Sequence, residues 1–393
     1  MKALHFGAGN IGRAFIGKTI FQSGFDLTFT DINQNIIDAL NYYKKYQVKL
    51  VGYNYEKIIH VNNFGAIHLN NPNIINMISD VSLITTAIGA CALKKIALIL
   101  AKGIILKIQL KSTTPLNIIA CENKIQASSF LKDIVFKNIP VQYHEYLNQY
   151  IGFIDCSIDT IVPSRLSFKK NSLSLIAEHF NEWIVHKRQF KGTIPKIVNM
   201  TVSNHLASFV DRKILTLNTG HAIAAYLGRI KKYTNIYQSI QDEDINTIVT
   251  GAMKESGLAL IKKYNFNQKN HFAYIDKILI RFKNPFLLDT IERIARNPLQ
   301  KLSKNERLIK PLLAAKKYNL SYYNLIKGIS SALHYKNTND LESMKMHNLI
   351  KMLGIRKAFS QISSLKLDSQ ETNLIVDQYF AIDQIFSKKK IIF

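Results

Sequence analysis

Cysteine is scarce in this chain. Cys91, Cys121 and Cys156 are the only three in 393 residues, and no two form a CxxC pair. Neither a disulfide framework nor a zinc ribbon can be built from that spacing, which implies a reducing compartment, the cytoplasm. Long hydrophobic runs are missing as well. The longest apolar stretch, Ile96–Leu106, is broken by Lys102 and falls short of the roughly 18 residues that a membrane span needs. The opening "MKALHFGAGNIG" reads as a short strand and a turn, without the ordered regions of a signal peptide. A soluble protein is expected, with no membrane partner.

Acidic residues are also few, 27 against 52 Lys and Arg, for a net charge of +25. Charge of that size suits nucleic acid when it is gathered into one patch. Here the lysines are spread along the whole chain and accompany an excess of Ile, Asn and Tyr, residue types that share A/T-rich codons. A nucleotide bias therefore explains the charge, and no nucleic-acid partner is expected. The hydrophobic fraction of 47% and charged fraction of 20% are those of a globular protein. At about 150 residues per domain, the length predicts two domains or three.

From Met1 to about Cys156, apolar runs at Ala3–Phe6, Leu27–Thr30, Val81–Ala87, Leu116–Cys121 and Ile151–Cys156 alternate with helix-like segments. Strands alternating with crossover helices predict a parallel, doubly wound α/β sheet. Residues Leu173–Lys187 add a further strand or two. Beyond Lys191, apolar residues recur at three- and four-residue spacing in Asn204–Ile214, Ile245–Tyr264, Ile291–Ala295 and Asn324–His334, which predicts a mainly α-helical second domain. Gly192 and Pro195 punctuate the change, so the expected domains are 1–190 and 191–393. The terminal "SKKKIIF" reads as a solvated basic end.

After the first strand, "GAGNIG" supplies GxGxxG from Gly7, Ala8, Gly9, Asn10, Ile11 and Gly12 and runs straight into a helix. Gly7 allows the tight turn, Gly9 lets backbone approach a pyrophosphate, and Gly12 lets helix and strand pack closely. The phosphates then meet free N–H groups at the helix N-terminus. The second strand ends in Asp31, about 20 residues further on, where a carboxylate accepts both ribose hydroxyls and repels a 2′-phosphate. NAD is thus expected rather than NADP. Thr85, Thr86, Ala87 and Gly89, at the carboxyl end of a later strand, are expected to touch the same cofactor.

An NAD-linked alcohol dehydrogenase needs a base for the hydroxyl proton and a means of steadying the alkoxide. No HExxH or paired cysteines point to zinc. The second domain opens with "DRKILTLNTGH", where Lys213, Asn218 and His221 fall within an arc of roughly 140° if the segment is one α-helix.

Lys, Asn five residues on and His three further resemble the signature of the polyol-specific long-chain dehydrogenases, the mannitol dehydrogenase family. "MKALHFGAGNIGR", "PLNIIACEN", "EWIVHKRQFKG", "TLNTGHAIAAYLG", "GAMKESG" and "LSKNERLIKPLL" are similar to that family in the same order, over nearly the whole chain. Ala14 and Ala90 depart from it, standing where glycine and proline are expected. The resemblance implies a Rossmann-type N-terminal domain and reversible oxidation of D-mannitol 1-phosphate to D-fructose 6-phosphate with NAD. Lys213 would be the general base, and Asn218 and His221 would donate to the substrate oxygen. An amine that ordinarily titrates near 10.4 must be lowered to serve as that base.

The resemblance also implies Asn123 and Asp159 as substrate contacts, although Asn123 could instead cap a helix and Asp159 could be a turn acid before Pro163. For the phosphate, the segment 291–311 offers Arg293, Arg296, Lys301, Arg307 and Lys310, of which Arg296 and Lys301, flanking Pro298, are preferred. Free mannitol or a hexuronate remains an alternative substrate, and a noncatalytic NAD- or nucleic-acid-binding protein an alternative class. A monomer is expected.

Overall fold

The computed structural model describes residues 1–163, 173–287 and 289–382, so the basic end at 387–393 lies outside the described residues. Two compact units divide it, Met1–Val210 and Asp211–Phe393.

The first unit is built on a six-stranded sheet of β1 (Lys2–Phe6), β2 (Asp26–Asp31), β5 (Phe64–His68), β6 (Leu83–Thr86), β7 (Leu116–Ala120) and β8 (Ile151–Phe153), in the order β5-β2-β1-β6-β7-β8. Every pairing in it is parallel. Strand order reverses between β1 and β6, which is the switch point where such sheets take their ligands. Alternate residues serve opposite faces. Ala3, Leu83 and Ile119 join one core, Leu4, Ile84 and Ile118 the other. Both faces are covered, so the strands are apolar throughout, as parallel strands are. Each of these Leu and Ile side chains stabilises the sheet by roughly 1.5–3 kcal/mol.

Two small sheets were not foreseen. The hairpin of β3 (Lys45–Gly52) and β4 (Tyr55–Asn62) takes β10 (Leu175–Glu178) as a third strand, and β9 (Cys156–Asp159), β11 (Glu182–His186) and β12 (Met200–Ser203) form another. The last pairing moves the boundary. Residues beyond Gly192 and Pro195 return to pair Trp183 with Met200, so the first unit runs about twenty residues past the predicted division at 190.

The second unit is helical. Its helix Thr219–Ile230 is buried from Ala222 to Gly228, and so forms the axis of the core. The helix Glu243–Tyr264 shows why these segments start where they do. Asp242 accepts from Asp244 N and Ile245 N, acids occupy the first turn and Lys262 and Lys263 the last, which complements the helix dipole. Within "GAMKESG", the carboxylate of Glu255 accepts from Asn324 N and Leu325 N, so that motif starts the helix Tyr323–Leu333. No helix among the described residues is long and apolar enough to cross a membrane.

Candidate active site

The glycine turn has the shape its sequence predicts. Gly7 sits at φ +103, its N–H donates to Thr30 O, and a Cβ there would come within 2.4 Å of Ala87 O. A Cβ on Gly12 would lie 1.8 Å from Gly7 O. Nothing stands within 4 Å of where a Gly9 Cβ would be. The backbone at Gly9 is therefore bare toward open space, as an approaching pyrophosphate requires. The turn leads into a π-helix, Gly12–Gly17, rather than a plain α-turn. The half-buried Ile11 packs on the sheet core, and Asn10 Nδ2 donates to Pro163 O.

Asp31 closes this turn. One carboxylate oxygen accepts from Ala8 N at 2.7 Å and the other from Asn33 N at 2.9 Å. Each oxygen keeps a lone pair for a ribose hydroxyl. Thr85 and Thr86 differ from expectation, because their side chains are wholly buried. Thr85 Oγ1 pairs with His5 Nδ1 at 2.7 Å, and Thr86 Oγ1 donates to Glu122 at 2.7 Å. What this strand end presents outward is Ala87 and the exposed Gly89 at φ +86.

Glu122 was passed over in the sequence although it stands beside Asn123. Its carboxylate accepts from Thr86 Oγ1, Ile88 N and Gly89 N, all within 3.0 Å, and so fixes the loop after β6. Only the pairing of β6 with β7 brings these residues together. Asn123 itself is exposed. It does not cap the next helix, whose N-cap is Gln126. Asp159 is a buried strand residue paired with Glu182, not a turn acid.

In the second unit, Lys213–Asn218 is a π-helix that leads into the α-helix Thr219–Ile230. The single α-helix assumed from the sequence is corrected here. Bonding from residue i to i+5 widens the turn, so the 140° arc drawn for an α-helix does not hold over Lys213–Asn218. Lys213, Asn218 and His221 are each half-buried, whereas Leu215, Thr216, Leu217, Thr219 and Gly220 between them are buried.

His221 is clamped. Its Nε2 stands 2.8 Å from Asp289 Oδ2, and its ring stacks on Phe282 with centroids 4.8 Å apart. The guanidinium of Arg293 holds the other oxygen of Asp289. Burial pushes the Asp289 carboxyl up, but His221 and Arg293 outweigh it and leave the group below its ordinary value. The carboxylate is thus charged at neutral pH.

The basic segment adjoins this set. Thr219 Oγ1 donates to Arg307 O at 2.8 Å, which ties the loop to the helix between Asn218 and His221. Lys301 is buried, its Nζ donates to Arg296 O, and the Arg296 side chain is exposed. Burial, with Arg307 and Arg296 adding repulsion, pushes the Lys301 ammonium down to about 8. Lys310 is engaged elsewhere, on Asp211 at 2.6 Å. Among the described residues no three His, Cys, Asp or Glu side chains are grouped to hold a metal ion.

Similarity to known proteins runs through both units. A family model described as the mannitol dehydrogenase Rossmann domain matches residues 1–199, and one described as the mannitol dehydrogenase C-terminal domain matches 205–386. A relative named mannitol-1-phosphate 5-dehydrogenase, from Buchnera aphidicola subsp. Schizaphis graminum (strain Sg), is 59% identical over 98% of this chain and 100% of its own length. Another of that name, from Buchnera aphidicola subsp. Acyrthosiphon pisum (strain Tuc7), is 56% identical with the same coverage. Among solved structures, a substrate-free D-sorbitol dehydrogenase superposes with a TM-score of 0.81 over 97% of this chain and 93% of its own, at 14% identity. A Pseudomonas fluorescens mannitol 2-dehydrogenase in ternary complex with NAD and D-mannitol gives 0.75 over 98% and 92%, at 12%. At such identities the likeness to these two is one of fold.

Proposed function

Because the chain belongs to the mannitol dehydrogenase family, we propose that it oxidises D-mannitol 1-phosphate to D-fructose 6-phosphate with NAD, reversibly and with a lysine as general base. The observation that supports this most is the half-buried Lys213, Asn218, His221 set on a continuous run of π- and α-helix, joined through Thr219 to a basic loop. The two relatives quoted bear the name of that activity over their whole length.

NAD, when bound, accepts the hydride from the carbinol carbon. Everything else falls to the chain. Gly7, Gly9 and Gly12 leave room for the pyrophosphate, and Asp31 takes the ribose hydroxyls. Glu122 holds the loop that carries Ala87 and Gly89. Lys213 Nζ removes the hydroxyl proton as the hydride leaves, and returns it to the carbonyl oxygen in the reverse direction. Asn218 and His221 donate to that oxygen while charge develops on it. Asp289 and Phe282 position His221 for that task, so little reorganisation is needed at the moment of reaction.

Lys301 and Arg296 are assigned to the phosphate, and Arg307 joins them, because at Lys301 the repulsion from the two arginines outranks the attraction of Glu342 and Asp340. Asn123 and Asp159 are assigned to the polyol hydroxyls. Three free thiols suit a cytoplasmic enzyme, and a monomer is expected on size exclusion. Incubation of D-mannitol 1-phosphate with NAD tests the reading. Equal amounts of NADH and D-fructose 6-phosphate should form; no NADH, or NADH with an oxidised product other than D-fructose 6-phosphate, would refute it.

A further inference from the structure

Two of the three cysteines, remote in sequence, meet where β7 and β8 end. The register Leu116↔Ile151, Asn117↔Gly152, Ile118↔Phe153 continues with Ile154 N donating to Ile118 O at 2.8 Å. Cys121 directly follows β7, Cys156 opens β9, separated from the end of β8 by two residues, and both side chains pack on the same core. The parallel strands they follow run about 4.8 Å apart. A disulfide accepts Cα separations of about 4.4–6.8 Å. Cys156 helps to raise the Cys121 thiol, so the two lie within interaction range. Each also donates to a backbone carbonyl of β7, Cys156 Sγ to Ala120 O at 3.5 Å and Cys121 Sγ to Ile119 O at 3.6 Å.

Cys121 is followed directly by Glu122, whose carboxylate alone takes three donors of the loop after β6. Closing a bond of about 2.05 Å between the sulfurs draws them in by more than 1 Å, and the adjoining Glu122 must move with Cys121.

We propose that Cys121 and Cys156 are an oxidation site, a dithiol that a hydroperoxide closes to a disulfide, and that closure weakens cofactor binding by displacing Glu122. The second half rests on the NAD reading above. Cys156 is half-buried and Cys121 buried, and burial holds the Cys121 thiol well above its ordinary value, so Cys156 reacts first. Its sulfur attacks the O–O bond, an S–O bond forms, and the distal oxygen leaves as alcohol or water. Cys121 Sγ then attacks that sulfur and expels the hydroxyl as water. Two electrons pass from the thiols to the peroxide, and their two protons end on the released oxygens.

The test treats the full chain with hydrogen peroxide. Free thiols are counted after denaturation, linked peptides are mapped, and NADH affinity is measured by fluorescence. We expect three thiols to fall to one, a Cys121–Cys156 peptide, and a Kd for NADH raised about tenfold, the loss of one or two charge-assisted hydrogen bonds. Dithiothreitol should reverse all three. Cys156→Ser should bind NADH as the reduced parent does and ignore peroxide, while Cys91→Ser should respond like the parent. Three surviving thiols, or pairing through Cys91, overturns the site. A linked peptide with unchanged NADH affinity overturns the link to Glu122. Failure of the reduced protein to bind NADH strikes the cofactor reading instead, and leaves the thiol count to judge the pair.

Discussion

His221 Nε2 lies 2.8 Å from Asp289 Oδ2, and that carboxylate is held from its other side by Arg293. A short acid thereby sets the tilt of the one imidazole expected to face the substrate oxygen. Phe282 stacks on the same ring.

Asp289→Asn keeps the shape and removes the charge. At 2.8 Å the Asp289 charge faces the imidazole as a close, largely buried pair, and its loss should lower kcat/KM for fructose 6-phosphate about ten- to a hundredfold. The loss should appear in kcat, with the Kd for NADH unchanged, and Asp289→Glu should recover part of it. Steady-state kinetics together with NADH titration separate this positioning role from a general loss of structure, which would move both.

Lys213→Ala should lower turnover by roughly 10² to 10⁴. NADH should still bind, because the glycine turn and Asp31 lie in the other unit. Stopped-flow single turnovers measure this without interference from product release. Turnover near that of the parent would remove Lys213 from the chemistry.

Asp31→Ala should weaken NAD binding and narrow the preference over NADP, since the carboxylate no longer repels a 2′-phosphate. The effect has a second source in the structure. Ala8 N and Asn33 N lose their acceptor together, so the turn itself loosens and NADP should gain little in absolute affinity. Paired Kd measurements for the two cofactors show whether the gap closes from the NAD side.

Lys301 is pushed down to about 8, and a phosphate is held by the protonated amine. Affinity for fructose 6-phosphate should rise as the phosphate loses its second proton near pH 6, level off around pH 7 and decline above 8. By pH 9 the apparent Kd should have risen about tenfold, the fraction of amine still charged. Lys301→Gln should bind more weakly at pH 7 and lose that alkaline decline. Calorimetric titration of the sugar phosphate across this range checks both.

The first sheet was legible because each of its strands is a short apolar run beside a helix, a pattern carried by neighbours in sequence. The hairpin of β3 and β4 was less so. β3 largely alternates exposed and buried residues while β4 is exposed over most of its length, and neither carries a strong apolar run. The domain boundary was misjudged because β12 joins the first unit through its pairing with Trp183–His186 and the packing of Met200 and Val202 on that unit's core, which no local signal announces. In the site, the glycines and Asp31 showed in spacing alone. The winding at Lys213–Asn218 did not, since a π-helix has the same residue types as an α-helix. Glu122 and Asp289 were missed for a common reason: each works on a partner that only the folded chain brings near.

The measurement that bears most directly on the central claim is the loss of NADH absorbance with fructose 6-phosphate, fructose, fructuronate and tagaturonate compared in one assay. Rapid oxidation with fructose 6-phosphate, and little with the three unphosphorylated sugars, is the predicted result. Equal or faster oxidation with fructose or a hexuronate would contradict it, and would strip Lys301, Arg296 and Arg307 of the role assigned to them.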